Sequence, residues 1–269
     1  MRTLLLTCIG LSSILLGACG GGGGGLAVKT AASTPDAIQV MREGEAVAVL
    51  GDYPAMAYAA RESAGRMTLI GGQFQVEPYA MAMGQDADAL EALVTQTLNS
   101  LILNGTYRRI LETWALEAGA AEPIEGASAA PPADQIPQLA DGKLTVGMEV
   151  AYAPMEFVDE AGMNAGIDVE LVQAIGQAMG VEVEIRNIPF EQLFGELSSG
   201  GIDLAVSSIT LTPERAQSAR LVPYFLAGSG ILVPAANPAG IEGPRDLCDH
   251  PVAVQAGTVH VEMLRRECP

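Results

Sequence analysis

The sequence predicts an α/β protein whose mostly parallel sheets are covered by helices. Short apolar runs of strand length alternate with helical periodicities along nearly the whole chain beyond residue 26, and that order places helices against parallel strands. Several of the predicted helices open on capping residues or close on glycine, so their limits can be read directly. In such folds ligands lie beyond the carboxyl ends of the strands, and that is where functional residues are sought.

Residues 26–31 predict a short strand. Ser33-Thr34-Pro35-Asp36 predicts a helix start with Thr34 as N-cap and Pro35 in the first turn, stopped at Gly44. A buried strand follows over 46–50, with Gly51-Asp52 at its end, then a helix over 55–63 and strands over 67–70 and 77–83. Leu90, Leu93, Val94, Leu98 and Leu101 share one face of a helix over 87–103. Gly105 ends it, and 106–116 predicts another helix. Residues 117–142 shift to Ala, Pro, Glu and Gly without periodicity; as a flexible linker they would span roughly 25–30 Å. Order resumes with a strand over 143–149, a helix over 168–179 closed by Gly180, a strand over 181–188, a helix over 191–198 and a strand over 202–207. Thr212-Pro213-Glu214 opens a further helix. Strands at 231–234 and 252–255 and a helix over 261–266 complete the pattern.

Composition sets limits on function. The formal net charge is −18, which argues against nucleic acid and anionic lipid as partners. Residues 1–18 carry Arg2, an apolar stretch from Leu4 to Leu16 too short to span a bilayer, and then small residues, the pattern of a secretory signal. Leu16-Gly17-Ala18-Cys19 resembles a bacterial lipobox, which implies cleavage before Cys19 and its acylation. Residues 19–25 would then be the acylated Cys and a Gly-rich leash. Cys8 leaves with the signal and Cys19 takes the lipid, so Cys248 and Cys268 remain in an oxidising compartment and are expected to pair. The two histidines, His250 and His260, lie in different contexts, and no metal site or cofactor is expected.

Several motifs carry a family resemblance. Lys143-Leu144-Thr145-Val146-Gly147, Tyr152-Ala153-Pro154-Met155-Glu156-Phe157 and Gly166-Ile167-Asp168 come first. Gly201-Ile202-Asp203-Leu204-Ala205, then Ser207 to Ala216, then Val252 to Thr258 follow. Together they resemble the opening half of the polar amino-acid binding proteins that serve ABC importers. The closing half of such a protein is resembled by Val28 to Pro54, Glu77-Pro78-Tyr79 and Asn104 to Tyr107, which here come first. The resemblance implies a two-lobed periplasmic-binding-protein-like fold in circularly permuted order. Lobe 1 would comprise 80–116 and 143–230, lobe 2 would comprise 26–79 and 231–269, and 117–142 would join what are usually the two chain ends.

The same resemblance implies a ligand site. Arg215 would grip an α-carboxylate through two parallel bonds, which a planar guanidinium makes and Lys does not. Asp52 would accept the α-ammonium. Ser208 and Thr210 match positions that bond the ammonium and carboxylate groups, and Thr258 stands at a strand-to-helix turn whose N–H groups face an anion. Val259 and His260 depart from the family's usual polar residues there. Tyr152 and Phe190 would wall the ligand's side chain. Glu149, where the family commonly has Asp, would favour a polar or cationic tail. The implied function is a lipid-anchored envelope receptor for a free amino acid, working with an ABC permease and touching the membrane only through its lipid. A dehydratase-like enzyme on the same scaffold remains open, with Glu149 or His260 as its acid–base candidates. So do a ligand-sensing module acting on a partner protein and one part of a tandem receptor that folds as a swapped dimer.

Overall fold

The computed structural model describes residues 27–268. The expected signal at 1–18, the acylation of Cys19 and the leash at 19–25 lie outside the described residues.

The first half of the chain forms β1 (Ala27–Ala31), α1 (Thr34–Arg42), β2 (Ala48–Asp52), α2 (Tyr53–Glu62), β3 (Met67–Met83), α3 (Asp88–Leu103) and α4 (Thr106–Thr113). The second half forms β4 (Lys143–Met148), the small hairpin β5 (Phe157–Val158) and β6 (Asn164–Ala165), α5 (Ile167–Met179), β7 (Glu182–Asn187) and α6 (Leu193–Ser199). It closes with β8 (Leu204–Thr210), α7 (Pro213–Ser218), β9 (Arg220–Pro234), β10 (Pro251–Gln255) and α8 (Val259–Glu267). Eight strands form one hydrogen-bonded sheet in the order β1-β10-β2-β9-β3-β8-β4-β7. The pairs β1–β10, β10–β2, β4–β8 and β4–β7 are parallel. The pairs made by β9 and β3 with each other and with their other neighbours are antiparallel.

The α/β class is therefore present, and the helices that cover the sheet bury the apolar faces expected of them. Leu90, Val94, Leu98 and Leu101 of α3 are buried in a large core, against Leu171, Val172 and Ile175 of α5. A second core packs Ala48 and Leu50 of β2 with Val252 and Val254 of β10 and Met263 and Leu264 of α8. A third lies under α6, around Leu193, Leu197, Ile202 and Ile209.

Three local expectations differ from the structure. The N-cap of α1 is Ser33, whose hydroxyl accepts from Asp36 N at 3.3 Å, while Thr34 Oγ1 donates to Gln255 Oε1 at 2.9 Å. The strands expected at 67–70 and 77–83 are one strand. Gly71-Gly72 suggests a turn, but the chain remains paired to β9 across register shifts between Ile70 and Glu77. The lobe boundaries expected at 79/80 and 230/231 fall inside β3 and β9. Finally, residues 117–142 are docked. Ile136 and Leu139 are buried, the Asn99 side chain bonds both N and O of Ile124, and Ala121 N donates to Tyr107 Oη at 3.0 Å. Apolar residues spaced too sparsely to show a period still supply enough anchors to hold that segment down. The expected bond between Cys248 and Cys268 is formed, tying the end of α8 to the loop before β10.

Candidate functional site

The eight residues singled out for ligand binding, Arg215, Asp52, Ser208, Thr210, Thr258, Tyr152, Phe190 and Glu149, all line one cavity. The cavity is narrow; its empty space, open solvent at the mouth included, is about 320 Å³. Asp52 ends β2, Ser208 and Thr210 end β8, Glu149 directly follows β4, and Thr258 precedes α8. The site thus gathers strand ends from both sides of the β3–β9 pair.

Arg215 sits in the first turn of α7, where Thr212 caps the helix by accepting Arg215 N at 3.2 Å. Its guanidinium donates to Thr210 O at 2.8 Å and to Gly257 O at 3.2 Å. It lies over the rings of Phe190 and Phe194, with 5.4 and 5.8 Å to the centroids. Phe190 is therefore both a wall of the cavity and a platform for the cation. Among the described residues Arg215 forms no ion pair, leaving guanidinium N–H groups for an incoming anion. Burial pushes the guanidinium pKa down, while the charges of Asp52 and Glu77 push the other way.

Asp52 occupies the N-cap position of α2, yet its side chain makes no capping bond. One carboxylate oxygen, Oδ2, accepts the Tyr152 hydroxyl instead. The other, Oδ1, lies 3.7 Å from His260 Nε2. Tyr152 accordingly contributes its hydroxyl to Asp52 as well as its ring to the cavity.

Ser208 has φ of +48° inside β8, a left-handed backbone that costs a serine on the order of 1–3 kcal/mol and is found where the surroundings enforce it. Its N–H donates to Asp168 Oδ2 at 3.2 Å, and its own hydroxyl is buried without a partner among the described residues. An unpaired buried hydroxyl at a cavity wall is a free contact for a polar ligand. Behind it, Ser207 Oγ donates to Glu156 Oε1 at 2.6 Å and accepts from Glu149 N at 3.1 Å. Tyr224 Oη contacts both oxygens of Asp168 at 2.7 Å. Glu156 and Asp168 are fully buried carboxyl groups. Burial raises Glu156 well above the usual carboxylate range, with Asp168's charge adding to the effect, and it raises Asp168 to about 6 despite the bonds from Tyr224, Glu156 and Ser208. The pair thus retains a proton near neutral pH. Carried on Glu156 Oε2, which otherwise has no partner, that proton can be donated to Asp168.

Glu149 forms part of the cavity floor. The Gln255 side-chain amide donates to Glu149 Oε2 while its oxygen accepts Thr34 Oγ1. Burial raises the Glu149 carboxyl, and the bond from Gln255 partly offsets this. Gln255, Ser207, Val259 and His260 line the cavity without having been singled out as contacts. Gln255 was legible in principle, since it ends a strand one turn before Thr258. His260 stood out as a departure from the family pattern and as an acid–base candidate of the dehydratase-like alternative.

Residues 144–266 match the family profile described as bacterial extracellular solute-binding proteins, family 3. The arginine-binding extracellular protein ArtP of Bacillus subtilis is 32% identical over 120 residues, covering 45% of this chain and 46% of that protein. A probable histidine-binding protein of Neisseria gonorrhoeae is 34% identical over 90 residues, covering 33% and 34%. The arginine-bound form of domain 1 from TmArgBP is 30% identical, covering 35% of this chain and 85% of that one, at a TM-score of 0.30, too low to bear on the fold. The chain spans between a third and a half of the length of these curated relatives, and Asp52 lies outside the residues matched to the family.

Proposed function

We propose, from the match of residues 144–266 to the bacterial extracellular solute-binding proteins, family 3, that this chain is a receptor capturing one free amino acid, polar or cationic, for an ABC-type permease. The ligand lies between two lobes, 26–79 with 231–269 and 80–116 with 143–230, joined in circularly permuted order. The receptor is held at the envelope membrane by acylated Cys19. Closure of the lobes around the ligand brings Asp52 and Thr258 toward Arg215. Among the described residues no helix is long and apolar enough to cross a membrane.

One observation carries the ligand class. A half-buried guanidinium that forms no ion pair among the described residues and a carboxylate flanked only by neutral tyrosine hydroxyls and an imidazole face the same cavity, Arg215 on one side and Asp52 on the other. An α-amino acid brings an anion and a cation at fixed separation and complements both, in a place where weak solvent screening strengthens each contact. The buried carboxyl of Glu149 and the relatives named for binding arginine support a polar or cationic tail.

The test is thermal unfolding against the twenty amino acids. A ligand that binds only the folded protein raises the midpoint, and a rise of several degrees is expected for one or two of them. A flat panel would overturn the proposal. Arg215→Ala should abolish the rise and lower the unliganded midpoint only modestly, because among the described residues Arg215 forms no ion pair and its guanidinium bonds only two backbone carbonyls, Thr210 O and Gly257 O. A dehydratase-like activity is the second possibility, favoured by one feature, the buried imidazole of His260 with an unpaired nitrogen in the cavity. Turnover of cyclic hydroxy-acids that is lost in His260→Gln would select it.

A further inference from the structure

His260, the second residue of α8, is 2% exposed. Its tautomer follows from its neighbours. Thr258 Oγ1 donates its only proton to Gln255 O at 2.8 Å, so toward the imidazole that oxygen is an acceptor. His260 Nδ1, 3.3 Å from the same oxygen, is therefore the protonated ring nitrogen, and in the neutral ring Nε2 is a bare lone pair. Nε2 has no hydrogen-bond partner among the described residues. What faces it at 3.7 Å is another acceptor, Asp52 Oδ1, since Tyr152 already occupies Oδ2.

His260 Nε2, which is buried, and Asp52 Oδ1, at the cavity wall, are acceptors turned toward each other, an arrangement that a donor shared by both would relieve. The donor must supply two N–H groups to the same small space and carry a positive charge to match Asp52. A hydroxyl has one proton to offer and no charge. A primary ammonium has three protons and the right sign. Building on the amino-acid receptor proposed above, we propose that Asp52 Oδ1 and His260 Nε2 form a two-acceptor seat for the ligand's α-ammonium, and that a proton on Nε2 closes it. A protonated His260 would turn a donor toward Asp52 and form the ion pair that the ammonium would otherwise make.

Other groups set where that exchange occurs. Asp52 on β2 and Glu77 on β3 favour the imidazolium; burial, the largest influence, and Arg215 on α7 oppose it, and His260 is held below the usual imidazole range. Tyr152 and Tyr79 flank Asp52 with neutral hydroxyls. The seat is therefore open at neutral pH and shuts on acidification. Ligand and proton exclude each other, so by linkage the bound ligand must depress the His260 pKa further.

The experiment titrates each of the twenty amino acids into the full folded protein by calorimetry at about pH 8 and at steps down to about pH 4, so as to pass below a depressed imidazole pKa. The same is done for His260→Gln, whose amide oxygen replaces the Nε2 acceptor without titrating. The wild type should lose about tenfold in affinity for each pH unit below the His260 pKa, and His260→Gln should lose markedly less. In parallel, NMR follows the imidazole signals of the wild type, where His250 is the only other histidine and serves as an internal control. Saturating ligand should shift the His260 titration to lower pH and leave His250 unmoved. Identical affinity profiles in the two proteins, or a His260 titration indifferent to ligand, would overturn the seat while leaving the receptor standing. The NMR result decides the matter even if the variant fails to fold. Absence of binding by every amino acid at every pH would remove seat and receptor together.

Discussion

At the scale of single residues, the cavity wall is held in place by groups that do not line it, Glu156 and Asp168. Ser208 is held in a left-handed conformation by a bond to Asp168, and Glu156 accepts the hydroxyl of Ser207, which in turn accepts the Glu149 backbone N–H. Those two carboxyl groups retain a proton in the folded protein, and the sign of the resulting pH dependence follows. Their folded pKa values lie above the unfolded ones, so their contribution to stability is fully present below about pH 4 and declines as pH rises through the folded pKa values. Glu156→Gln keeps an acceptor for Ser207 and a donor for Asp168 without a proton to lose. Urea unfolding from about pH 5 to pH 9 should show the wild type losing stability with rising pH more steeply than Glu156→Gln. Parallel curves would show that the proton is not held there. How much of the site was legible in the sequence divides along the same line. Arg215, Asp52 and the serine–threonine run were legible as cavity residues because each lies in a short motif that carries the family resemblance. His260 and the Glu156–Asp168 pair acquire their character from neighbours distant in the chain, such as Asp52 208 residues away and Tyr224, and no local pattern encodes that.

At the scale of elements, periodicity located most helices to within a few residues but was less informative about strand length. β3 runs through Gly71-Gly72 because β9 lies alongside to pair with it, a tertiary effect that overrides a turn-forming dipeptide. Residues 117–142 illustrate the converse, a stretch without a pattern that docks through a few contacts. Gly119 shows how close that docking is. A Cβ there would lie 2.2 Å from Phe225 Cζ and 2.6 Å from the Leu226 carbonyl oxygen. Because one of the obstructing atoms belongs to the backbone of β9, Gly119→Ala should destabilise the protein by about 1–3 kcal/mol. Hydrogen exchange should rise over residues 119–124, where Ala121 N and Ile124 N now donate to Tyr107 and Asn99. Unchanged protection there would show that the segment's anchors lie elsewhere.

At the scale of the whole molecule, the disulfide and the sheet act on the same region. The bond between Cys248 and Cys268 joins residues 20 apart in sequence, and closing a loop of that size stabilises by about 3 kcal/mol on the chain-entropy account. Cys248→Ser combined with Cys268→Ser should lower the unfolding free energy by about that amount. It should also increase exchange along α8, where His260 is held. A double variant as stable as the wild type would show that packing of Met263 and Leu264 alone secures the helix.

The pairing of β1 with β10 has a further implication. Ala27 to Ala31 align with Pro251 to Gln255 along a parallel ladder, and β2 is flanked by β10 and β9. During synthesis, the earliest strands of the described chain therefore emerge with neither neighbour yet made and stay unsatisfied until nearly everything else has been translated. Contacts between such remote segments slow folding, and unpaired edges invite association with other chains in the interval. The cavity, lined by Asp52 at the end of β2 and Gln255 at the end of β10, is therefore complete only once β10 has slotted in beside β1 and β2.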